Sequence, residues 1–528
     1  MAPHSALSTS TFYLSYSDWL EPSPFTVKKP DYAQCAIPGC QAYALFGHPR
    51  CRICGGSYCY DHVEDISTHI CYTDPPREYI YPYKSVVEEE IAEIIEVIDF
   101  DKVTEEVETL RPPHKCISID KFESPYHVNP LNGSFNFHLL IEFEDGMNWM
   151  MRIRRKQSRS QPETAIEMCH RSEMATMKAM RDGGVKIPKC YERPKDSRVS
   201  SELIYFYQDF VEGGHTTLAF RMDGPVYGYK PIAKAFMLSY AAWMISFEKV
   251  TFDKVGSLAL GENGLVVVGP HIERDRTASL EPPYFAGPFN TAKERWLSTI
   301  DWRMKSILDK KECPPSEELL RYLIMLEMKD LVSGCEELEK GPWYIKHYDL
   351  HGRQFKIDMD TGEMYALLDW EWASLSCKGE AFTPPEFFRL SPDRYENDLG
   401  DKEALLVDCY RELGRPDLAD LSIGSRKYHW LQNIVLRSYD NLEALNGARN
   451  AFTSRLEGLD NQPQTLEEWK EIMLKRYRED KGVKLLVAKQ REGGPPDVRN
   501  ITESKKKKKF GVDKETERIS VEVVETAL

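Results

Sequence analysis

Residues 343–372 read Trp343-Tyr-Ile-Lys-His347-Tyr-Asp349-Leu-His351-Gly-Arg-Gln354-Phe-Lys-Ile-Asp358-Met-Asp-Thr361-Gly362-Glu-Met-Tyr-Ala-Leu367-Leu-Asp369-Trp370-Glu371-Trp372. An apolar run, expected as a strand, delivers a polar loop. A short hairpin turning at Thr361-Gly362 follows, and a second apolar strand ends on another carboxylate. This layout brings Asp349 and Asp369 to one edge. One carboxylate is then placed to accept a hydroxyl proton and the other to bind Mg²⁺ between nucleotide phosphates. Taken alone, His-x-Asp-x-His also fits a hydrolase metal site or a hydrogen-bonded turn, and Asp-Trp-Glu a strand end capping a helix. The two together are far more specific.

Upstream, Phe135, Phe137, Leu139, Ile141 and Phe143 alternate, Asp145-Gly146 supplies a tight turn, and Trp149–Ile153 returns as an antiparallel strand. The spacing predicts a Met/Ala-rich helix over Glu163–Arg181, stopped by Gly183-Gly184, and a strand over Leu203–Val211. Its methionines Met168, Met174, Met177 and Met180 read as core. Beyond Gly214 the pattern is mostly helical: Ala404–Leu413, Tyr428–Leu445 and a helix capped by Thr465-x-x-Glu468, with residues 343–371 the one β-rich interruption.

The loop and the Asp-Trp-Glu strand resemble those of the aminoglycoside phosphotransferase and choline kinase-like family, especially its fungal phosphotransferase-domain members. The match is to that family's His-x-Asp-Leu-His-x-x-Asn loop. Gly133-Ser-Phe-Asn136 is similar to its shortened phosphate loop, Trp149-Met-Met-Arg152-Ile to its third strand, and Ser172-Glu173-Met-Ala-Thr-Met177 to the next helix. Phe252-Asp-Lys-Val-Gly256-Ser-Leu258 and Val268-Gly269-Pro270 also recur there, so the resemblance spans residues 115–400.

The resemblance implies a protein-kinase-like bilobal fold, ATP and Mg²⁺ as cofactors, and a small hydroxyl compound as acceptor. Asp349 is implied as the base, with His347 and His351 bracing its loop, Asp369 as the main metal ligand and Gln354 as the second. Backbone N–H groups around Gly133, Ser134 and Asn136 are expected to approach phosphate. Arg152, held by Glu173, is expected on the α/β-phosphates, and Asp209 and Val211 offer backbone groups to adenine. Two departures stand out. Arg152 replaces the usual Lys, a planar fork in place of a point charge. Gln354 replaces the loop's Asn, and its extra methylene displaces the amide oxygen that would meet a second metal.

Nearer the N-terminus, Cys35-x4-Cys40-x10-Cys51-x2-Cys54-x4-Cys59-x2-His62-x6-His69-x-Cys71 places eight ligand-type residues close together. Short pairs separated by loops suit two tetrahedral Zn²⁺ ions, and the string resembles an AN-one-type zinc finger. Loop reach assigns Cys35, Cys40, Cys59 and His62 to one zinc, and Cys51, Cys54, His69 and Cys71 to the other. Closed metal shells suit recruitment of a protein partner rather than catalysis. The seven dispersed cysteines read as buried thiols in a reducing compartment.

With 41% hydrophobic and 11% aromatic residues, wholesale disorder is excluded. The net charge of −15 gives no global case for nucleic acid as partner. Ser85–Leu110 alone carries ten acidic residues against one Lys, with Val87, Ile91, Ile94, Ile95 and Ile98 at helical spacing. That pattern predicts one amphipathic helix with an acidic outer face, its apolar stripe packed on the kinase-like part. No apolar run reaches the length of a membrane span and no secretory leader is recognisable, so the expectation is a cytoplasmic protein. Lys505–Lys509 is a nuclear-import tag, a polyanion contact or, most simply, part of a solvated tail.

The expected organisation is α+β: a disordered 1–30, a zinc finger over 31–74, an acidic linker helix over 75–114, a β-rich N-lobe over 115–212, a helical C-lobe over 213–492 and a flexible tail over 493–528. Two functions fit: an ATP- and Mg²⁺-dependent phosphotransferase, or a non-catalytic kinase-like adaptor working through the zinc finger.

Overall fold

A computed structural model describes residues 90–120, 135–155, 163–214, 230–277, 282–358, 360–389, 397–452 and 462–492. The eight zinc-ligand candidates, Gly133, Ser134 and the Lys-rich tail lie outside the described residues.

The alternating stretches become a five-stranded antiparallel sheet in the order β1-β2-β3-β5-β4. Its strands are β1 Cys116–Ile119, β2 Asn136–Phe143, β3 Asn148–Arg154, β4 Cys190–Glu192 and β5 Tyr205–Asp209. Gly146, with φ +81°, makes the turn between β2 and β3, a backbone shape that glycine adopts without steric cost. Period-two alternation then sorts the side chains. Phe137, Leu139, Ile141, Phe143, Met151 and Ile153 line one buried face, while Asn136, His138, Arg152 and Arg154 share the other. The register pairs Asn136 with Arg154 and His138 with Arg152.

The apolar face is covered by the acidic segment, which is not one helix. Residues 90–97 are helical and Phe100–Leu110 forms a second helix. Asp99 breaks the run because its carboxylate accepts the Lys102 N–H at 3.2 Å and caps the second helix. Ile91, Ile98, Val103 and Val107 pack into the sheet's core. The acidic residues are not all outward either. Glu106 is buried and accepts the hydroxyls of Tyr205 (2.6 Å) and Tyr207 (2.9 Å). Glu90 accepts Arg155 Nε and Nη2 at 2.9 and 2.7 Å.

The other face meets the Glu163–Asp182 helix. Its Met177 and Met180 continue into the large core of the helical half, and Met168 packs with Phe135 and Trp372. Gly184, at φ +80°, ends the helix.

The helical half is built on helices Lys230–Phe247, Ala292–Leu308 and Glu318–Ser333, with further helices from Asp401 to Glu492. It contains more β-structure than its sequence suggests. β6 Thr251–Phe252, β9 Trp343–His347 and β12 Ala373–Ser376 form a small sheet ordered β12-β9-β6. β7 Leu258–Leu260 pairs with β8 Val266–Val268, and β10 Phe355–Ile357 with β11 Met364–Leu367. Strands β9, β10 and β11 fall in the expected β-rich stretch 343–371, whereas β6, β7, β8 and β12 are two to four residues long, too short for a periodic signal. Gly256 permits one close crossing, since a Cβ there would lie 2.1 Å from Gly269 O.

The expected Tyr428–Leu445 helix is also broken. Arg426–Trp430 runs into a π-turn over Leu431–Leu436, and a new helix starts at Leu442, capped by Asn441. The Thr465 cap is present, its side chain accepting Glu468 N–H at 3.1 Å. Of the dispersed cysteines, five are buried and Cys116 and Cys190 half-buried, all as free thiols. Among the described residues, no helix is long and apolar enough to cross a membrane.

Candidate active site

Strand β9 ends on His347, and Asp349 stands half-buried in the loop that follows it. The loop is held from beneath and from the side. His347 is buried, its Nε2 bonded to Leu368 O at 3.2 Å, its ring against Trp370 at 4.7 Å and its Nδ1 without a hydrogen-bond partner. Burial pushes this imidazole down to about 4, so it is neutral. His351 is exposed and braces the loop through its backbone. Its N–H donates to Gln354 Oε1 at 2.8 Å, and its Nδ1 accepts the Arg353 N–H at 3.3 Å.

Asp369 follows β11 in the left-handed region, with φ +69°. A non-glycine residue held there marks a position constrained by its surroundings. The adjacent Trp370 N–H donates to Glu173 Oε1 at 3.2 Å, which fixes the turn from the helix side. Arg152, on β3, closes the group. Its Nε donates to Glu173 Oε2 at 3.0 Å, its Nη1 meets His138 Nε2 at 3.2 Å, and its Nη2 donates to Asp369 Oδ1 at 2.5 Å. Arg154, two residues on and therefore on the same face, donates to Glu371 Oε2 at 2.5 Å, as does Asn136 Nδ2 at 3.1 Å.

The charges respond to this packing. Burial raises Asp349 above the ordinary carboxylate range, and the Asp369 charge adds to it. Burial works on Asp369 in the same direction, but the Arg152 charge and hydrogen bond outweigh it and hold that carboxyl down at about 2. Glu173, sealed beside Asp369 and Glu371, is pushed up to about 8 by burial despite Arg152. The two carboxylates are thus shifted in opposite directions, Asp349 up and Asp369 down, the kind of separation that acid–base chemistry uses.

The remaining expected residues fall less simply. Asn136 spends its amide on Glu371. Asp209 closes β5, its carboxylate accepting Lys189 N–H at 3.0 Å and Tyr191 O–H at 3.1 Å, its own N–H bonded to Lys189 O. Val211 lies half-buried on the segment that leads to Gly214, which exchanges two backbone hydrogen bonds with Ile357 of β10.

For a divalent cation the arrangement does not fit. Asp369 Oδ1 is taken by Arg152, and Asp369 Oδ2 faces Gln354 Nε2 at 3.4 Å. Gln354 Oε1, the atom a metal would need, is turned away onto the His351 N–H. Among the described residues no group of three or more His, Cys, Asp or Glu side chains is disposed to hold a metal ion.

Sequence reasoning missed a second cluster beneath Asp349. Glu380, on the short helix Lys378–Ala381, is fully buried and accepts Tyr348 O–H at 2.8 Å, Trp296 Nε1–H at 3.1 Å, Arg295 Nη2–H at 3.0 Å and the Ser376 hydroxyl. Arg295 Nη2 also donates to the Tyr348 oxygen. Tyr348 is the residue before Asp349, so this cluster sets where the loop points. Tyr348 stood in the motif, but its partners lie in distant segments with no spacing to announce them.

No known protein family matches the sequence, and no curated protein does. Solved structures share part of the shape. The streptomycin–ATP ternary complex of APH(2'')-IIa is 9% identical, with 67% of this chain and 95% of that one covered and a TM-score of 0.36. ADP-bound aminoglycoside phosphotransferase APH(2'')-Ib is 10% identical, with 67% and 97% covered and a TM-score of 0.37. The macrolide 2'-phosphotransferase MphH from Brachybacterium faecium is 10% identical, with 68% and 99% covered and a TM-score of 0.32. At such likeness nothing those proteins bind or modify transfers to this chain.

Proposed function

We propose that this chain is a kinase-like phosphotransferase that moves the γ-phosphoryl group of ATP to a hydroxyl of a small molecule. The observation that supports this reading is Asp369 held by an arginine of the sheet that Glu173 clamps, with Asp349 close enough to feel the Asp369 charge. The acceptor O–H gives its proton to Asp349, the acceptor oxygen forms a bond to the γ-phosphorus, and the bond from that phosphorus to the β–γ bridging oxygen breaks, releasing ADP. The raised pKa of Asp349 suits a base that must take and later shed a proton. Arg152 and Arg154 supply positive charge on the sheet side of the groove, and the segment from Asp209 to Gly214 is the proposed edge for adenine. The magnesium that the sequence resemblance implies enters no step here, because its expected ligands are otherwise engaged.

A screen of hydroxyl compounds with radiolabelled ATP tests the proposal. Asp349→Asn is expected to lower turnover about 10²–10⁴-fold, with the thermal unfolding midpoint unchanged. Absence of any nucleotide-induced thermal shift would sink it. The ion pair between Arg152 and Asp369 favours a second reading, a nucleotide-binding adaptor without turnover. A thermal shift with ATP but no phosphorylated product from the whole screen selects that one. We also propose the 31–74 segment as a two-zinc recruitment module for a protein partner. Metal analysis finding no zinc, together with a Cys51→Ser chain that is unaltered, would remove it.

A further inference from the structure

The two positions at which the sequence departs from its resemblance, Arg152 and Gln354, meet on the same carboxylate. Arg152 offers five N–H donors in a fixed fork, and the fork is used as one. It reaches Glu173, His138 and Asp369 at once, within 2.5 to 3.2 Å. A lysine, with one ammonium on a flexible stem, cannot span three partners on three different elements in this way. The guanidinium is buried, whereas the Asp369 side chain is 32% exposed, so the positive charge sits behind a carboxylate that is partly open to solvent. Gln354 completes the change. Its longer side chain folds its oxygen back onto the His351 N–H and turns its amide N–H toward Asp369. Both side chains that hydrogen-bond Asp369 therefore donate to it. A divalent cation arriving there would meet a guanidinium and an amide N–H instead of oxygen ligands.

We infer that the Arg152 guanidinium stands where a divalent cation would be expected, so that this groove binds nucleoside triphosphate without divalent metal. The inference rests on the nucleotide reading above and changes its cofactor requirement. Three of the five N–H donors on Arg152 are hydrogen-bonded, and Nη2 also lies 3.7 Å from Glu371 Oε2, so phosphate oxygens would meet the fork at its partly open Asp369 side. Charge-assisted N–H···O bonds from a planar fork match phosphate geometry.

The test is calorimetric titration of the full chain with ATP, once in EDTA and once in excess Mg²⁺. The expected result is a dissociation constant that differs by less than about threefold between the two, a difference of under about 1 kcal/mol. Arg152→Lys is expected to make binding metal-dependent, with affinity at least about tenfold higher in Mg²⁺ than in EDTA. Should that variant not fold, Asp369→Asn serves in its place, and it is expected to change ATP affinity equally in EDTA and in Mg²⁺. Wild-type binding seen only with Mg²⁺ overturns the inference and leaves the nucleotide reading standing. A loss in Asp369→Asn confined to Mg²⁺ does the same. No ATP binding in either buffer overturns both.

Discussion

Two charge clusters flank strand β9, and they differ in exposure more than in chemistry. Beneath the loop, Arg295 and Glu380 are 1% and 0% exposed, and both oxygens of Glu380 are engaged by named donors. In the groove, Arg152 is equally buried at 6%, but its partner Asp369 is 32% exposed. The first cluster is sealed. Desolvating such a pair costs about as much as its attraction returns, so what it contributes is position: it fixes Tyr348, and with it Asp349. The second cluster is sealed only behind. Its carboxylate stays partly in reach of solvent. One arrangement builds a platform and the other a site.

The largest expected effect comes from opening the sealed cluster. Glu380→Ala leaves Arg295 charged and buried without its counterion, and it is expected to lower stability by about 3–5 kcal/mol in urea unfolding. A cost under 1 kcal/mol would show that the platform is not held this way. The next effect is a pH dependence at His347, which lies between the clusters. The folded protein refuses this proton down to about pH 4, whereas the unfolded chain accepts it near 6.5. Its contribution is therefore complete above pH 6.5 and lost as the pH falls toward 4, at a cost of about 3 kcal/mol over that span. The stability difference between wild type and His347→Gln, followed from pH 7 to 4, isolates the effect. A difference that stays flat would assign the slope elsewhere. The smallest effect is expected at the exposed end. Asp369→Asn leaves Arg152 hydrogen-bonded to Glu173 and 3.7 Å from Glu371 Oε2, and lowers stability by only about 1 kcal/mol in the same urea assay. A loss as large as that of Glu380→Ala would erase the distinction between platform and site.

Much of the local structure was legible. The β2–β3 hairpin followed from alternation and Asp145-Gly146, and the Glu163–Asp182 helix from its period and its two glycines. Both are decided by residues adjacent in the chain. Two long helices were overdrawn for the same local reason in reverse. Asp99 and Asn441 can satisfy a helix start with their own side chains, so each begins a new helix where the apolar period alone predicts a continuous one. The acidic face over Ser85–Leu110 was misread in part, because the burial of Glu90 and Glu106 depends on Arg155, Tyr205 and Tyr207, far away in sequence. Asp349, Asp369, Arg152 and Glu173 were legible as a group and do converge. Arg154 could have been added, since period two puts it on the face of Arg152. Glu380 and Arg295 carried no signal at all.

The sequence by itself determined which residues could do chemistry and which strands and helices present them, because residue type, turn chemistry and periodicity act over a few neighbours. Tertiary structure alone decided how the charges are shared. Whether Asp369 faces a cation or a guanidinium depends on a strand, a helix and a loop meeting within a hydrogen bond's length. Electrostatic pairing in a buried groove is set by that meeting and by the water it excludes, and neither is written in any one stretch of chain.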